Sequence, residues 1–129
     1  MNFKTRIEFE NLLEHGNAKT VARMMFDYIY NHYTNLNADG SDFEENEGYE
    51  LLVDKLNDVE YRLSDTKDRI KDAMDHPDHY YEPKQVIDDA LEEQNELKPI
   101  FINLTMIKEE YDDYVQSFID SWKDSDNDE

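Results

Sequence analysis

Apolar residues recur along this chain in steps of three and four, the spacing of one face of an α-helix. Thr5 with Glu8 fits a capping box that begins a first helix, and Gly16 ends it. Asn17 can cap a second helix running to about Leu36. The apolar faces of the two helices consist of Phe9, Leu12, Leu13, Val21, Met24, Met25, Tyr28, Ile29 and Leu36, with Tyr33 extending the second.

The longest unbroken stripe lies in the middle of the chain. Residues 35–48 are polar, contain two glycines and are predicted to form a loop, after which a helix runs from about Tyr49 to Met74. Its seam consists of Tyr49, Leu52, Leu56, Val59, Leu63, Thr66, Ile70 and Ala73. We expect this seam to pack inside the monomer. The alternative is a homodimer formed through residues 49–73.

Prolines divide the second half of the chain. Pro77 breaks the long helix, Pro83 suits the first position of the next one, and Pro99 either kinks the chain or separates two helices. The final helix is predicted to end near Lys123. The apolar positions of this half are Val86, Ile87, Ala90, Leu91, Leu97, Ile100, Leu104, Ile107, Tyr111, Tyr114, Val115, Phe118, Ile119 and Trp122.

These patterns predict an all-α fold, a bundle of four or five helices with an acidic surface. Residues 1–123 would form a single domain, and 124–129 a short disordered acidic tail. Hydrophobic residues make up only 38% of the chain, so the helical periodicity is the main sign that it folds. The N-terminus does not resemble a signal peptide, and the apolar stretch 99–107 is too short to cross a bilayer. We expect a cytoplasmic protein without a membrane partner; the absence of cysteine is compatible with that compartment.

Acidic residues are concentrated in three segments of the chain. The formal net charge is −20, from 33 acidic and 13 basic side chains. Segments 37–50, 75–96 and 109–129 carry −6, −7 and −8, which sum to −21, so the remainder is nearly neutral. Such segments repel nucleic acid and attract basic proteins. We therefore expect a basic partner and no direct binding of nucleic acid.

The acidic residues of the last two segments are spaced so that they repel one another on a helix. Asp88, Glu92 and Glu96 follow at i, i+4 and i+8, and Asp89 with Glu93 repeats the spacing. Each such pair destabilises a helix by about 0.2–0.5 kcal/mol. An arrangement that costs stability favours a binding role over solubility alone.

Candidate catalytic and metal motifs are incomplete. Residues 35–41 begin like a calcium-binding EF-hand loop, but Asp42 and Asn46 stand where an apolar residue and a bidentate glutamate belong. The Asp and His residues of 75–79 lie at a proline break and not on rigid elements. The sequence contains no Glu-x-x-His pair, phosphate-binding loop or nucleophile motif. We expect no metal, no cofactor and no enzymatic activity.

Carboxylates on a helix can imitate the phosphates of DNA. Positions i and i+4 are about 6 Å apart along the helix axis, near the separation of successive phosphates on one strand. The two acidic helical segments, 82–96 and 109–120, could supply such rows to a basic groove. The predicted partner-binding residues are Asp88, Asp89, Glu92, Glu93, Glu96, Glu109, Glu110, Asp112, Asp113 and Asp120.

The acidic doublets of these segments resemble those of phage-encoded DNA-mimic inhibitors, a class that includes antirestriction and anti-CRISPR proteins. The doublets are Asp88-Asp89, Glu92-Glu93, Glu109-Glu110 and Asp112-Asp113, and they are accompanied by tyrosines and an acidic tail. The resemblance implies inhibition of a restriction or CRISPR-type nuclease, in the cytoplasm of the host cell if a phage encodes the chain. It transfers no role to an individual residue.

Two other classes of protein remain open. One is an immunity or antitoxin-type inhibitor that recognises one basic nuclease through a specific patch. Exposed tyrosines beside acidic residues would suit that patch, and the candidates are Tyr30, Tyr80, Tyr81 and Tyr114. The other class is a non-catalytic helical adaptor, which the seam of the middle helix favours.

Overall fold

Helices account for nearly all of the described chain. The computed structural model describes residues 6–32 and 36–127, with side chains as far as 122. Within those residues there is no strand, and the all-α fold is confirmed. The elements are α1 (Arg6–His15), α2 (Ala18–His32), α3 (Ser41–Glu44), α4 (Glu47–Asp75), one 3-10 turn (Pro77–His79) and α5 (Pro83–Asn127).

α4 and α5 form a long antiparallel hairpin. Tyr49, near the start of α4, stacks on Tyr111 of α5 with ring centroids 5.4 Å apart. Near the other end of α4, Arg69 Nη2 lies 2.5 Å from Glu93 Oε2. The buried seam residues of α4 recur every seven positions and are Leu52, Val59, Thr66 and Ala73. The predicted seam therefore packs against α5 inside the monomer.

α5 is a single helix of 45 residues that continues through Pro99. Proline removes one backbone hydrogen bond and costs about 3 kcal/mol in a helix interior. Here Leu97 and Leu104, on either side of Pro99, are both buried in the core, which holds the two halves in one helix. The helix also continues to Asn127, so residues 124–127 are helical where the sequence predicted a disordered tail. No glycine or proline follows Pro99 to stop it.

α1 and α2 cover the C-terminal half of α5. Asn103 Nδ2 donates to the carbonyl oxygen of Leu13 across 2.9 Å, and Arg23 lies 5.3 Å from the ring centroid of Tyr114. Asn17 caps α2 as predicted, since its Oδ1 accepts from the backbone N–H of Thr20 at 3.1 Å. The largest fully buried side chains are Tyr111, Phe9, Phe43, Leu13, Leu52, Leu104, Ile107 and Val21, with Thr66.

The segment predicted as a polar loop is packed against the core. Phe43 is completely buried and stacks on Phe26 with ring centroids 4.8 Å apart. Tyr111 donates its hydroxyl hydrogen to the carbonyl oxygen of Phe43, and Asn46 Nδ2 donates to the same oxygen at 2.8 Å. Burial raises the pKa of Tyr111, which keeps its hydroxyl protonated as this bond requires. Residues 36–46 therefore form a strap across α5.

Gly40 allows this strap to approach α5 closely. Its φ of 77° is a left-handed conformation that glycine adopts without strain. A Cβ atom at this position would lie 2.9 Å from Ile119 Cδ1. The glycine that resembled part of a calcium loop thus has a packing role.

Some residues on the predicted apolar faces are exposed. Met24 and Leu91 keep 42% and 45% of their surface because each lies at the edge of its helix's buried stripe. Trp122 keeps 45% because it lies beyond Val115, the last buried residue among those described on α5. The predictions for Thr5, Tyr33, Asn35 and the last two residues of the acidic tail lie outside the described residues. Within the part that is described, no helix is long and apolar enough to span a membrane.

The hairpin extends beyond the core that α1 and α2 complete. That core reaches Leu63 on α4 and Leu97 on α5. We call residues 64–75 with 83–96 the arm. The buried residues of the arm are Thr66, Ala73, Ala90 and Gln94, all small or polar. The arm is therefore two helices without a third layer.

Candidate acidic interface

Seven of the ten predicted partner-binding residues are exposed on α5. They are Asp88, Asp89, Glu92, Glu96, Glu109, Asp113 and Asp120, and we call them the acidic row. None of them forms an ion pair with another described residue. Asp89 and Asp120 accept hydrogen bonds only from neutral amides one turn earlier, at 2.8 and 3.0 Å.

The acidic row follows one side of a continuous helix. At about 100° per residue, a regular helix places its seven members within an arc of about 160°. From Asp88 to Asp120 the row runs about 48 Å at 1.5 Å per residue, nearly one and a half turns of B-DNA. Residues between Glu96 and Glu109 divide the row into an arm group and a C-terminal group.

Glu93 belongs to the structure of the arm and not to the acidic row. Its carboxylate lies 2.5 Å from Arg69 Nη2 and 3.4 Å from Arg62 Nη2, and its side chain is 27% exposed. The hydrogen bond from Arg69, followed by the positive charge of both arginines, holds the pKa of Glu93 below its ordinary value. Neighbouring Glu92 points away from α4 and has no such partner among the described residues.

Asp112 and Glu110 are also less available than predicted. Asp112 Oδ2 lies 2.8 Å from Lys108 Nζ, one helical turn earlier. The hydrogen bond to Asp112 raises the pKa of Lys108, so the ion pair is maintained and Asp112 is paired within α5. Glu110 is half-buried where α5 faces the body of the bundle. Three of the four doublets are thus split, with one member facing solvent and the other paired or partly covered, whereas both members of Asp88-Asp89 are exposed.

Glu93 and Glu92 provide a matched test of this division. At neutral pH we expect Glu93→Gln to lower the free energy of unfolding by about 0.5–1 kcal/mol, the range of a partly exposed ion pair. Glu92→Gln should be neutral or slightly stabilising, because it removes repulsion from Asp88 and Glu96.

The effect of Glu93→Gln should depend on pH in a defined direction. Because the folded-state pKa of Glu93 is lowered, its contribution is complete above the ordinary glutamate pKa of 4.5 and disappears as pH falls through the folded-state pKa. Urea unfolding of the two variants at pH 7 and in steps below pH 4.5 measures this. An equal effect of both substitutions would contradict the assigned roles.

The tyrosines predicted for an interface differ in exposure. Tyr81 is 99% exposed and Tyr30 is 54% exposed. Tyr80 is half-buried and donates its hydroxyl to Asp72, which with burial raises the pKa of Tyr80. Tyr114 is half-buried beneath Arg23. Only Tyr30 and Tyr81 therefore present most of their ring to solvent.

The 3-10 turn and the strap have local structural roles. His76 and His79 stack on each other with ring centroids 5.1 Å apart, in the 3-10 turn that joins α4 to α5. Asp39 Oδ1 accepts from the backbone N–H of Ser41 at 3.0 Å. Among the described residues, no three His, Asp or Glu side chains are grouped to hold a metal ion. Neither segment contributes to the acidic row.

Comparison of the chain with protein-family models, with curated proteins and with solved structures gives no match.

Proposed function

We propose that this protein inhibits a nucleic-acid-binding enzyme by placing the acidic row of α5 in the enzyme's basic DNA-binding groove. The observation that carries the proposal is the set of seven exposed carboxylates on one helix, all without an ion-pair partner among the described residues. A basic groove binds DNA by neutralising phosphates arranged in rows. The acidic row offers negative charges along about 48 Å of helix, the length of nearly one and a half turns of B-DNA.

The contrast within the doublets supports a binding role for the row. The chain has positive side chains that pair with carboxylates where they serve the fold, as Arg62 and Arg69 do with Glu93. The seven carboxylates of the acidic row face solvent on the same helix without an ion pair to a described residue, although like charges destabilise a helix. A basic partner would supply the missing counter-charge.

A restriction enzyme or an RNA-guided nuclease is the proposed target class. Both hold nucleic acid in positively charged channels, and both would be blocked by an occupant that they cannot cleave. The strongly negative field of the whole chain would also accelerate its encounter with such a channel.

A second candidate is a specific inhibitor of one basic nuclease. Ile102 and Met106 are 57% and 48% exposed and lie between the two groups of the acidic row. Apolar anchors surrounded by charge are typical of specific protein interfaces, where a few residues dominate the binding energy. In that case Ile102→Ser alone would weaken inhibition as much as removing several carboxylates.

The test is competition with DNA. A fluorescein-labelled duplex is bound to each of a panel of purified restriction and RNA-guided nucleases, and the chain is added while anisotropy is recorded. We expect displacement of DNA from at least one enzyme, with the affinity for that enzyme falling about tenfold or more between 50 and 200 mM salt. The chain alone should not bind the duplex. Displacement unaffected by salt, or direct binding to DNA, would exclude mimicry.

A further inference from the structure

The arm has an uncovered cleft on the side opposite the Glu93 ion pairs. The cleft has a volume of about 440 Å³ and is lined by Lys67, Ile70, Lys71, Met74, Asp75 and Gln94. In the core of the molecule, α1 and α2 lie over α5 and complete the packing of the hairpin. Along the arm no described element takes their place, so the third layer of the bundle is missing.

The floor of the cleft is the side-chain amide of Gln94, which has no hydrogen-bond partner among the described residues. Gln94 is only 7% exposed, and its side chain makes no hydrogen bond with any described residue. None of its polar atoms is sealed from solvent, so the amide opens into the cleft that it lines. The amide is therefore open to water and can bond to a polar group of a ligand that enters the cleft.

The walls of the cleft are apolar. Met74 is 66% exposed and Ile70 is half-buried on the α4 side. Leu91, one turn before Gln94 on α5, is 45% exposed. Ile70 and Met74 line the cleft on α4, and Leu91 extends the apolar surface one turn from Gln94 on α5. An amphipathic helix packs into a surface of this kind.

The rim of the cleft is basic, in contrast to the rest of the molecule. Lys67 and Lys71 border it on α4, and Asp75 is the one carboxylate of its lining. Lys84 and Lys98 are each seven residues from Leu91, so all three share a stripe of α5. None of these four lysines forms an ion pair with a described residue, whereas both arginines on the other side of the arm do. Unpaired positive charge on a chain of net charge −20 indicates a negatively charged occupant.

We infer that the cleft binds an amphipathic helix of a partner protein, with leucine-like residues on its apolar face and acidic residues on its flanks. The helix would complete a three-helix bundle with the arm, and a polar side chain on it would bond to Gln94. Its acidic flanks would pair with the lysines at the rim. At physiological salt, charges beyond about 8 Å are largely screened, so the lysines and the single aspartate around the cleft set its local charge.

A second copy of this chain is a poorer occupant. If two arms met through their clefts, the lysines around one cleft, which outnumber Asp75, would face the lysines around the other. Like charges across an interface oppose association. The inference is independent of the proposed function, because the cleft and the acidic row use different residues.

The experiment uses defined peptides and the full chain. One fluorescein-labelled helical peptide has leucines at i, i+3, i+4 and i+7 with glutamates on both flanks. A second has serines for those leucines, and a third has lysines for those glutamates. Anisotropy at physiological salt should show at least tenfold tighter binding of the first peptide than of the second. Nuclear magnetic resonance should show that the first peptide shifts the side-chain amide signals of Gln94.

Two variants and a control locate the binding. Met74→Ser, and the double change Lys67→Gln with Lys71→Gln, should each weaken the first peptide at least fivefold. Lys19→Gln alters an exposed lysine on α2 that forms no ion pair with a described residue, and it should have no effect. All of these side chains are solvent-exposed, so the fold should be retained, which circular dichroism verifies. The third peptide should bind more weakly than the first, because its lysines would face the lysines around the cleft.

Three results would overturn the inference. The first is equal binding of the leucine and serine peptides, or binding that neither cleft variant affects. The second is self-association in analytical ultracentrifugation that Met74→Ser abolishes, which would make a second copy the occupant. The third is a shift of the Gln94 signals by sodium decanoate but not by the peptide, which would assign the cleft to a small anionic amphiphile.

Discussion

Neutralising Asp88, Asp89, Glu92 and Glu96 together, as Asn or Gln, should weaken competition with DNA by about 100-fold. Each exposed ion pair with a basic groove contributes about 0.2–1 kcal/mol, and four of them together reach about 2.7 kcal/mol, which is a factor of about 100. A single change such as Glu92→Gln should cost less than about fivefold. The readout is the concentration of the chain that displaces labelled DNA from the inhibited nuclease.

The matched control removes the same charge from another surface. Glu50, Asp54, Asp58 and Glu60 are exposed on α4 and form no ion pair with a described residue. Their combined neutralisation changes the net charge equally and should weaken competition by only a fewfold, through slower encounter. If both quadruple variants lose activity to the same extent, net charge and not the acidic row is responsible, and the proposed interface is wrong.

Phe43→Ala should cost about 3–5 kcal/mol of the free energy of unfolding, the range for truncating a buried phenylalanine. Phe43 is completely buried, stacks on Phe26 and meets Phe118 edge-on with ring centroids 5.0 Å apart. The cavity would lie between α2, α5 and the strap, where the close approach at Gly40 leaves little freedom to collapse. Guanidinium denaturation followed by circular dichroism measures the change.

Tyr81→Ala is the control for Phe43→Ala. Tyr81 is 99% exposed at the turn of the arm, so its truncation should change the free energy of unfolding by less than about 0.5 kcal/mol. A loss below about 1 kcal/mol for Phe43→Ala would mean that the strap detaches from α5 in solution. Residues 36–46 would then be the open loop that their composition suggests.

The helices of this fold are visible in its sequence because local rules determine them. The seam of α4 and the first position of α5 at Pro83 were predicted from periodicity and from the chemistry of proline. The sequence alone does not decide whether α5 continues through Pro99, because the continuity depends on the tertiary burial of Leu97 and Leu104. A single sequence shows the cost of the proline but not the packing that offsets it.

The packed strap could not be recognised from sequence. Phe43 is an isolated aromatic residue among acids and glycines, so no period marks it as buried. Its burial follows from Tyr111, which lies far away in the chain and bonds to its carbonyl oxygen. One signal was available, namely that Asn46 could cap the helix that begins at the next residue.

The exposed face of the acidic interface was only partly predictable. Spacing placed Asp88, Glu92 and Glu96 together on one face, and all three are exposed. It could not separate Glu93 from Glu92, because the difference depends on Arg62 and Arg69 on another helix. The burial of Gln94 could not be predicted from the sequence, since glutamine is ordinarily a surface residue.

The dependence of α1 and α2 on the far end of α5 affects how the chain is made. Leu13 bonds to Asn103, and Phe26 packs against Tyr114, so the first helices find their neighbours only near the end of the sequence. A ribosome adds residues from the N-terminus onward, and the apolar faces of α1 and α2 stay uncovered until about residue 118 has emerged. The hairpin of α4 and α5 pairs nearby segments and can form first. The body of the protein therefore closes only after most of α5 has been synthesised.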